Sequence, residues 1–194
     1  WQAVGSGAAG VFRVCFRLSE PQDGADVWPV EYLLQASDDP SLLVDAATVW
    51  TAKSDRLDYL EYRFQHPQEK LLAALGVASR IFPPIERSLR TNRPQDVLLT
   101  RDEAYIFLTS AAPMLETGGF SVLVPNWWGQ RPRVKARARM KGKSAEPTGF
   151  LTPDALVSYS WEMSLDGERI SRAEFEQLVA LKQPLVRYKG QWIT

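Results

Sequence analysis

The stretch RPRVKARARMKGK, residues 131–143, carries a basic residue at every odd position. Because side chains alternate between the two faces of a β-strand, this period of two would place every charge on one face and the apolar residues on the other. A helix would scatter the same charges around its axis. The stretch therefore predicts a β-strand with one basic face, which needs water or an anionic partner opposite it. Its basic residues are Arg131, Arg133, Lys135, Arg137, Arg139, Lys141 and Lys143.

Charge is unevenly distributed along a chain whose formal net charge is zero. Residues 19–62 contain ten acids and two bases, a net charge of −8, whereas residues 131–143 contain seven bases and no acid. This asymmetry predicts one acidic and one basic surface, although the fold could also bring the two segments together and neutralise both.

The length and composition are those of an ordinary globular protein. The 194 residues, 45 % hydrophobic and 24 % charged, suffice for a sizeable core and predict one compact unit, with a subdivision near 91–100 as the alternative. There is no run of about 18 apolar residues and no signal-peptide pattern, so we expect no membrane span. The single cysteine excludes an internal disulfide and fits a cytoplasmic location. Because the chain begins at Trp1 without a methionine, we expect it to be a piece of a longer protein.

Strand and turn signals organise the first half of the chain. Residues 11–18 and 30–36 have strand patterns and are separated by turn-forming residues, which predicts an antiparallel hairpin with a long loop. A helix is predicted from Pro67, a residue suited to the first helical position, and Pro83-Pro84 should end it. The state of the apolar segment 41–50 is left unassigned.

Two capping boxes mark helices in the second half. Thr100 and Glu103 form the first, and Ser171 and Glu174 the second, each pairing a hydroxyl with a carboxylate three residues later. Pro113 should disturb the first of these helices. Further strands are predicted at 120–125 and 157–165, a hairpin turn at 166–167, and a last strand pair around the Lys189-Gly190 turn. These elements lack βαβ regularity, which predicts the α+β class with mixed or antiparallel sheets and about three to four helices.

A glycine motif near the start matches a nucleotide-binding pattern only by letter. Gly5-Ser-Gly7-Ala-Ala-Gly10 reads GxGxxG, but a dinucleotide site needs a strand before the glycines and a helix after them. Here four residues precede the motif and a strand is predicted to follow, so a flexible leader is the preferred interpretation. A P-loop sequence is also missing, and this chain is therefore not expected to be an ATPase motor by itself.

Isolated reactive side chains do not form a catalytic constellation in the sequence. His66 is the only histidine and stands at a helix start, where a capping or exposed role is expected. Cys15 alternates with apolar residues and is expected to be a small buried hydrophobe. The carboxylate pairs, such as Asp38-Asp39, are assigned to turns and caps. We therefore predict no catalytic residue and no metal site.

The basic strand and the neighbouring Trp127 and Trp128 are the remaining functional candidate. Lysine and arginine neutralise phosphates without reading sequence, and aromatic rings stack on unpaired bases, so the combination favours contact with nucleic acid. The exposed basic face is predicted at 133–139, with Arg131, Lys141 and Lys143 as loop charges. The alternatives are an edge strand protected from aggregation by its charges, or one paired internally, with tryptophans that only cap a core.

Several stretches of the chain resemble one protein family. They resemble the helicase-associated region that precedes the ATPase motor in bacterial helicases of the Swi/Snf (Snf-two) class. The resemblance runs in order over almost the whole chain. It is carried by VCFRLSEP at 14–21, YLLQASDDPSLLVDAATVW at 32–50, FPPIERSLR at 82–90, EAYIFLTSAAPMLETGGFSVLVPNWWG at 103–129 and LVALKQPLVRYKGQWI at 178–193.

The resemblance implies a non-catalytic accessory region of an ATP-dependent helicase or translocase, a hydrolase whose ATP and magnesium would bind only in a motor that this chain lacks. The implied partners are DNA or RNA and the motor lobes of the same protein. The alternative function is a protein-interaction or autoinhibitory module, in which the acidic segment 19–62 docks on the motor or on a partner protein.

Overall fold

The computed structural model of the chain describes residues 8–9, 11–22, 25–53, 55–60, 62–129, 134–140, 159–165 and 168–194, with the backbone alone for 8–9, 134–140, 159–165 and 168–169. The chain divides into two compact units, Trp1–Gly129 and Gln130–Thr194. The segment 91–100 lies inside the first unit. Mixed and antiparallel sheets occur together with helices, which confirms the predicted α+β class.

The first unit alternates short strands with helices. In chain order it contains β1 (Ala8–Ala9), β2 (Phe12–Leu18), β3 (Trp28–Ala36), β4 (Leu43–Asp45), α1 (Ala46–Thr51), β5 (Arg56–Tyr59), β6 (Tyr62–Gln65), α2 (Pro67–Ile81), a 3-10 helix (Pro83–Arg90), β7 (Asp96–Leu99), α3 (Arg101–Ile106), a π-helical turn (Phe107–Ala111), α4 (Ala112–Thr117), β8 (Ser121–Leu123) and α5 (Asn126–Gly129). The unassigned segment 41–50 thus contains β4 and most of α1.

Strand β3 is the centre of the main sheet. It pairs antiparallel with β2 from Phe12↔Ala36 to Leu18↔Val30, which confirms the predicted hairpin with a long loop. Along its other edge it pairs with β4 near one end and with β7 near the other. β8 joins the opposite side of β2 in parallel, completing a five-stranded mixed sheet. The last five residues of β3 are all buried, so both faces of the sheet are covered there.

The core of the first unit is built from large side chains of this sheet and its helices. Trp28, Phe16 and Phe107 are fully buried, and Phe16 meets the ring of Tyr32 edge-on. Cys15 is also fully buried, which confirms its predicted role as a small hydrophobe, and burial raises the pKa of its thiol to about 11. Such a thiol stays neutral at ordinary pH and is a poor nucleophile.

Local signals place the helix ends as predicted. Helix α2 begins at Pro67 and ends at Ile81, before Pro83-Pro84. Thr100 caps α3, with both hydrogen bonds of the capping box present. The disturbance expected at Pro113 is the π-helical turn just before it, where the amide of Ala112 bonds to the carbonyl of Phe107 five residues back. In the described ranges, every helix is too short or too polar to cross a membrane.

The second unit contains β9 (Val134–Met140), β10 (Tyr159–Leu165), β11 (Glu168–Ile170), α6 (Arg172–Ala180), β12 (Val186–Tyr188) and β13 (Gln191–Ile193). Strands β9, β10 and β11 form an antiparallel sheet in the order β11-β10-β9. The register Leu165↔Glu168 confirms the hairpin predicted there, while residues 166–167 themselves lie outside the described residues. β12 and β13 pair across a tight turn in which Lys189 and Gly190 both have positive φ.

Helix α6 buries a narrower face than its sequence predicted. Ser171 caps it with the complete capping box, as expected. Phe175 and Leu178 pack on the core formed by Ile170, Val186 and Ile193. Helical spacing in the sequence groups Phe175, Leu178, Val179 and Leu181 into one buried stripe. That prediction is wrong for Val179 and Leu181, because both are more than half exposed. Phe175 and Leu178 are three residues apart, and this narrow face is wide enough to contact one small two-stranded sheet. The neighbouring positions of the helix therefore stay in water.

Candidate nucleic-acid interface

The basic stretch forms a strand, as its alternation predicts. β9 covers Val134–Met140 and pairs with β10 over its whole length. Its basic residues occupy alternate positions and therefore share one face of the sheet: Lys135, Arg137 and Arg139. Opposite them in the register stand Ser164, Glu162 and Ser160. The predicted contacts Arg131, Arg133, Lys141 and Lys143 lie outside the described residues.

The position of β9 in its sheet decides how much of its positive charge is left for an anionic ligand. In the described part of the sheet β9 has one partner strand, β10, and forms its outer edge. Three basic positions meet a single acidic position, Glu162, across the pair. One ion pair could neutralise one of the three charges, so the arrangement retains an excess of positive charge along this face. Both original interpretations, phosphate contact and charge protection of an edge, are compatible with this placement.

Trp127 and Trp128 lie on α5, a single helical turn at the end of the first unit, and both are partly buried. The Trp127 ring meets the fully buried Trp28 edge-on, with centroids 6.3 Å apart, and meets Trp128 at 5.9 Å. Among the described residues, the buried Nε1 of Trp127 has no hydrogen-bond partner. Trp127 therefore contributes to the packing around Trp28, and stacking of either ring on a base stays a prediction.

Several carboxylates of the acidic segment 19–62 already have partners within the first unit. Glu31 accepts from Arg17 at 2.8 Å, and Asp26 accepts from Arg101 at 2.8 Å. Asp58 is paired with both Arg56 and Arg63, at 2.9 and 3.3 Å. Two further carboxylates bond backbone amides: Asp45 at the start of α1 and Asp39 in a turn. The described acids therefore do not form a uniformly unpaired surface for docking on a basic partner.

Two other titratable residues, His66 and Asp39, lie at a helix start and in a turn. His66 is the N-cap residue of α2 in a left-handed conformation, is 53 % exposed at its side chain, and lies 3.9 Å from Glu69. Asp39 accepts from the hydroxyl and the amide of Ser41, and these hydrogen bonds lower the pKa of its carboxyl. In the described ranges no three His, Cys, Asp or Glu side chains are grouped so that they could hold a metal ion.

An apolar groove of about 250 Å³ lies between the end of α2 and the π-helical turn, lined by residues that include Ile81, Pro84, Ile106 and Met114. Its one titratable lining residue is Glu103. That carboxylate is held by the Arg87 guanidinium at 2.6 and 2.8 Å, a hydrogen-bonded pair that lowers the pKa of Glu103. The groove thus presents hydrocarbon and a neutralised acid, which suits packing better than acid-base chemistry.

A second basic feature was missed in the sequence. Arginines recur every third residue in RSLRTNR, at Arg87, Arg90 and Arg93. The structure places the first two on the 3-10 helix and the third in the turn after it. Three residues make one turn of a 3-10 helix, so this spacing was the signal that could have been recognised.

Comparison with known proteins gives two findings. A family model described as "SNF2 Helicase protein" matches residues 92–194, just over half of the chain. The chain is also similar to "Putative ATP-dependent helicase/translocase YwqA" of Bacillus subtilis (strain 168), with 30 % identity over 190 residues. That match covers 94 % of this chain but only 18 % of the relative's length. No solved structure matches the chain.

Proposed function

Because the chain belongs to the SNF2 helicase family, we propose that it is a non-catalytic accessory region of an ATP-dependent helicase or translocase and that it contacts nucleic acid through β9. The similarity to the Bacillus subtilis helicase/translocase supports the activity proposed for the whole protein. ATP and magnesium would act in a motor outside these 194 residues, and the motor lobes would be neighbours of this region.

The observation that carries the proposal is the position of Lys135, Arg137 and Arg139 on one face of β9, which has one partner strand and faces a single acid in the described part of its sheet. Positions two apart on a strand are about 6.7 Å apart, so adjacent basic residues can reach successive groups along one polyanion. Contacts of this kind give affinity that depends on salt and hardly on sequence. A region that holds nucleic acid near a motor needs that kind of binding, because a translocase moves over every sequence.

The proposal is tested by binding measurements on the 194-residue chain. Fluorescence anisotropy with a labelled single strand and a duplex of equal length, titrated over a range of salt concentrations, gives the affinity and its salt dependence. The variant Lys135→Glu/Arg137→Glu/Arg139→Glu should lose most of the binding. With about one phosphate contact per residue, the slope of log affinity against log salt should become shallower by about 3.

The matched control reverses three exposed charges elsewhere, at Arg13, Lys53 and Lys182. It changes the net charge equally and should retain most of the affinity. Circular dichroism of both triple variants checks that they fold. If the β9 variant binds as well as the control variant, the strand is a charge-protected edge and the proposal is wrong. RNA of the same length in the same assay identifies the preferred nucleic acid.

A further inference from the structure

The 3-10 helix Pro83–Arg90 and the turn after it carry a second basic surface, on the first unit of the chain. Arg87, Arg90 and Arg93 follow one another at intervals of three residues. Residues three apart eclipse one another in a 3-10 helix with a rise of about 2 Å per residue, so Arg90 follows Arg87 along one edge after about 6 Å. The three arginines differ in what their side chains contact.

Arg87 is committed to the structure of the unit. Its guanidinium donates two hydrogen bonds to the carboxylate of Glu103, at 2.6 and 2.8 Å, and a third to the carbonyl of Leu98 at 2.8 Å. This arrangement ties the 3-10 helix to β7 and to the start of α3. A planar guanidinium with three of its donors engaged is an anchor and has little capacity left for a ligand.

Arg90 and Arg93 are not bound in this way. Both are exposed, and neither guanidinium makes a hydrogen bond or an ion pair within the described ranges. Two acids lie close to them in sequence, Glu86 and Asp96, and the structure pairs neither acid with either arginine. Between them stand Thr91, whose hydroxyl donates to the carbonyl of Ser88 at 2.9 Å, and the exposed Asn92.

The backbone that carries Arg90 and Arg93 is held firmly on both sides. Before them, Ser88 is buried, accepts a hydrogen bond from the Tyr32 hydroxyl at 2.8 Å and donates one to the carbonyl of Ile85 at 2.7 Å. After them, the carbonyl of Pro94 accepts from the Nε1 of Trp50 at 2.8 Å, again in the interior. The short exposed segment between these two buried hydrogen-bonding sites has a fixed backbone. Its side chains therefore start from a defined place, which lowers the entropic cost of binding.

We propose that Arg90 and Arg93, with the amide of Asn92 between them, form a second contact for the phosphate backbone of a nucleic acid. The proposal rests on the proposed function for the class of partner but uses different residues on a different unit. Guanidinium groups match phosphate oxygens in geometry, and Asn92 supplies a further neutral donor. Residues 83–95 contain no aromatic side chain, so this surface binds phosphates without stacking on bases and does not distinguish sequences.

The test compares Arg90→Gln/Arg93→Gln with the control Arg13→Gln/Lys53→Gln, which removes two exposed charges from the same unit. The probes are a labelled single strand and a duplex of unrelated sequences, titrated with salt. The Arg90/Arg93 variant should bind all probes more weakly, with a slope of log affinity against log salt that is shallower by about 2. The control should keep the original slope within about 0.5.

A charge-preserving variant, Arg90→Lys/Arg93→Lys, should retain the salt slope but lose part of the affinity, because lysine lacks the planar fork. Thermal unfolding of the three variants shows whether the fold is unchanged.

If the Arg90/Arg93 glutamine variant behaves like its control while the β9 variant loses binding, this inference is overturned and the proposed function stands. If the β9 variant binds normally while the Arg90/Arg93 variant does not, the β9 proposal fails and this surface is the nucleic-acid contact.

Discussion

The buried hydrogen bond between Tyr32 and Ser88 should contribute about 1 kcal/mol to the free energy of unfolding of the first unit. The Tyr32 hydroxyl donates to Ser88 Oγ at 2.8 Å, and Ser88 Oγ in turn donates to the carbonyl of Ile85 at 2.7 Å. Tyr32 is 1 % exposed and Ser88 is 7 % exposed, so water does not readily replace either partner. Burial also raises the pKa of Tyr32, which keeps the phenol neutral and donating at ordinary pH.

The two single substitutions should differ in cost. Tyr32→Phe removes the donor but leaves Ser88 bonded to Ile85, and we expect a loss of about 1 kcal/mol. Ser88→Ala leaves the buried hydroxyl of Tyr32 without its acceptor, at a cost of about 1–3 kcal/mol. The double variant has no orphaned hydroxyl, so its cost should fall short of the sum by about 1 kcal/mol, the coupling between the two groups.

Urea unfolding of the four proteins, followed by tryptophan fluorescence and circular dichroism, measures the cycle, and equal m-values confirm that the unfolding transition is unchanged. A control cycle pairs Tyr32→Phe with Thr109→Ala, whose exposed hydroxyl bonds only to the carbonyl of Tyr105 in the described structure. It should be additive within about 0.5 kcal/mol. If the costs of Tyr32→Phe and Ser88→Ala also add up to the cost of the double variant, the two side chains are not coupled. That result would refute the view that this bond anchors the 3-10 helix.

Three further predictions concern the pH dependence of stability and helix capping. Because burial raises the pKa of the Cys15 thiol from 9.0 to about 11, unfolding should become easier as the pH rises through that interval, by at most about 3 kcal/mol. Urea titrations from about pH 8 to about pH 10 should show a larger loss of stability in the natural chain than in Cys15→Ala, and parallel curves would contradict this. Thr100→Ala should cost about 1 kcal/mol by removing the N-cap of α3, whereas Thr100→Ser should cost much less. Since the hydrogen bonds from Arg87 lower the pKa of Glu103, the stability from that pair is present above pH 4.5 and is lost as the pH falls through the lowered pKa. In separate urea titrations from about pH 6 to about pH 3, Glu103→Gln should therefore lose less stability than the natural chain, and an equal loss in both proteins would contradict this expectation.

Much of the secondary structure was predictable from neighbouring residues. The capping boxes at Thr100 and Ser171, the Pro67 helix start and the β2–β3 hairpin act through contacts within a few residues or through strand alternation, and all are present. The alternation of residues 131–143 likewise predicted the strand β9. Segment 41–50 resisted assignment because it joins a three-residue strand to a short helix, each too brief to show a period.

The sequence by itself determined the local elements, the family resemblance and the even spacing of charge along β9, because these depend on residue order alone. Only the tertiary structure decided which charged side chains are paired with other residues of the fold. Arg87 and Arg90 look equivalent in RSLRTNR, yet one is bound to Glu103 from the following helix while the other is exposed and unpaired in the described part of the chain. Trp127 packs against Trp28 from a strand about a hundred residues earlier. Such pairings follow from how distant segments cross in the folded chain, so residue spacing alone does not reveal them.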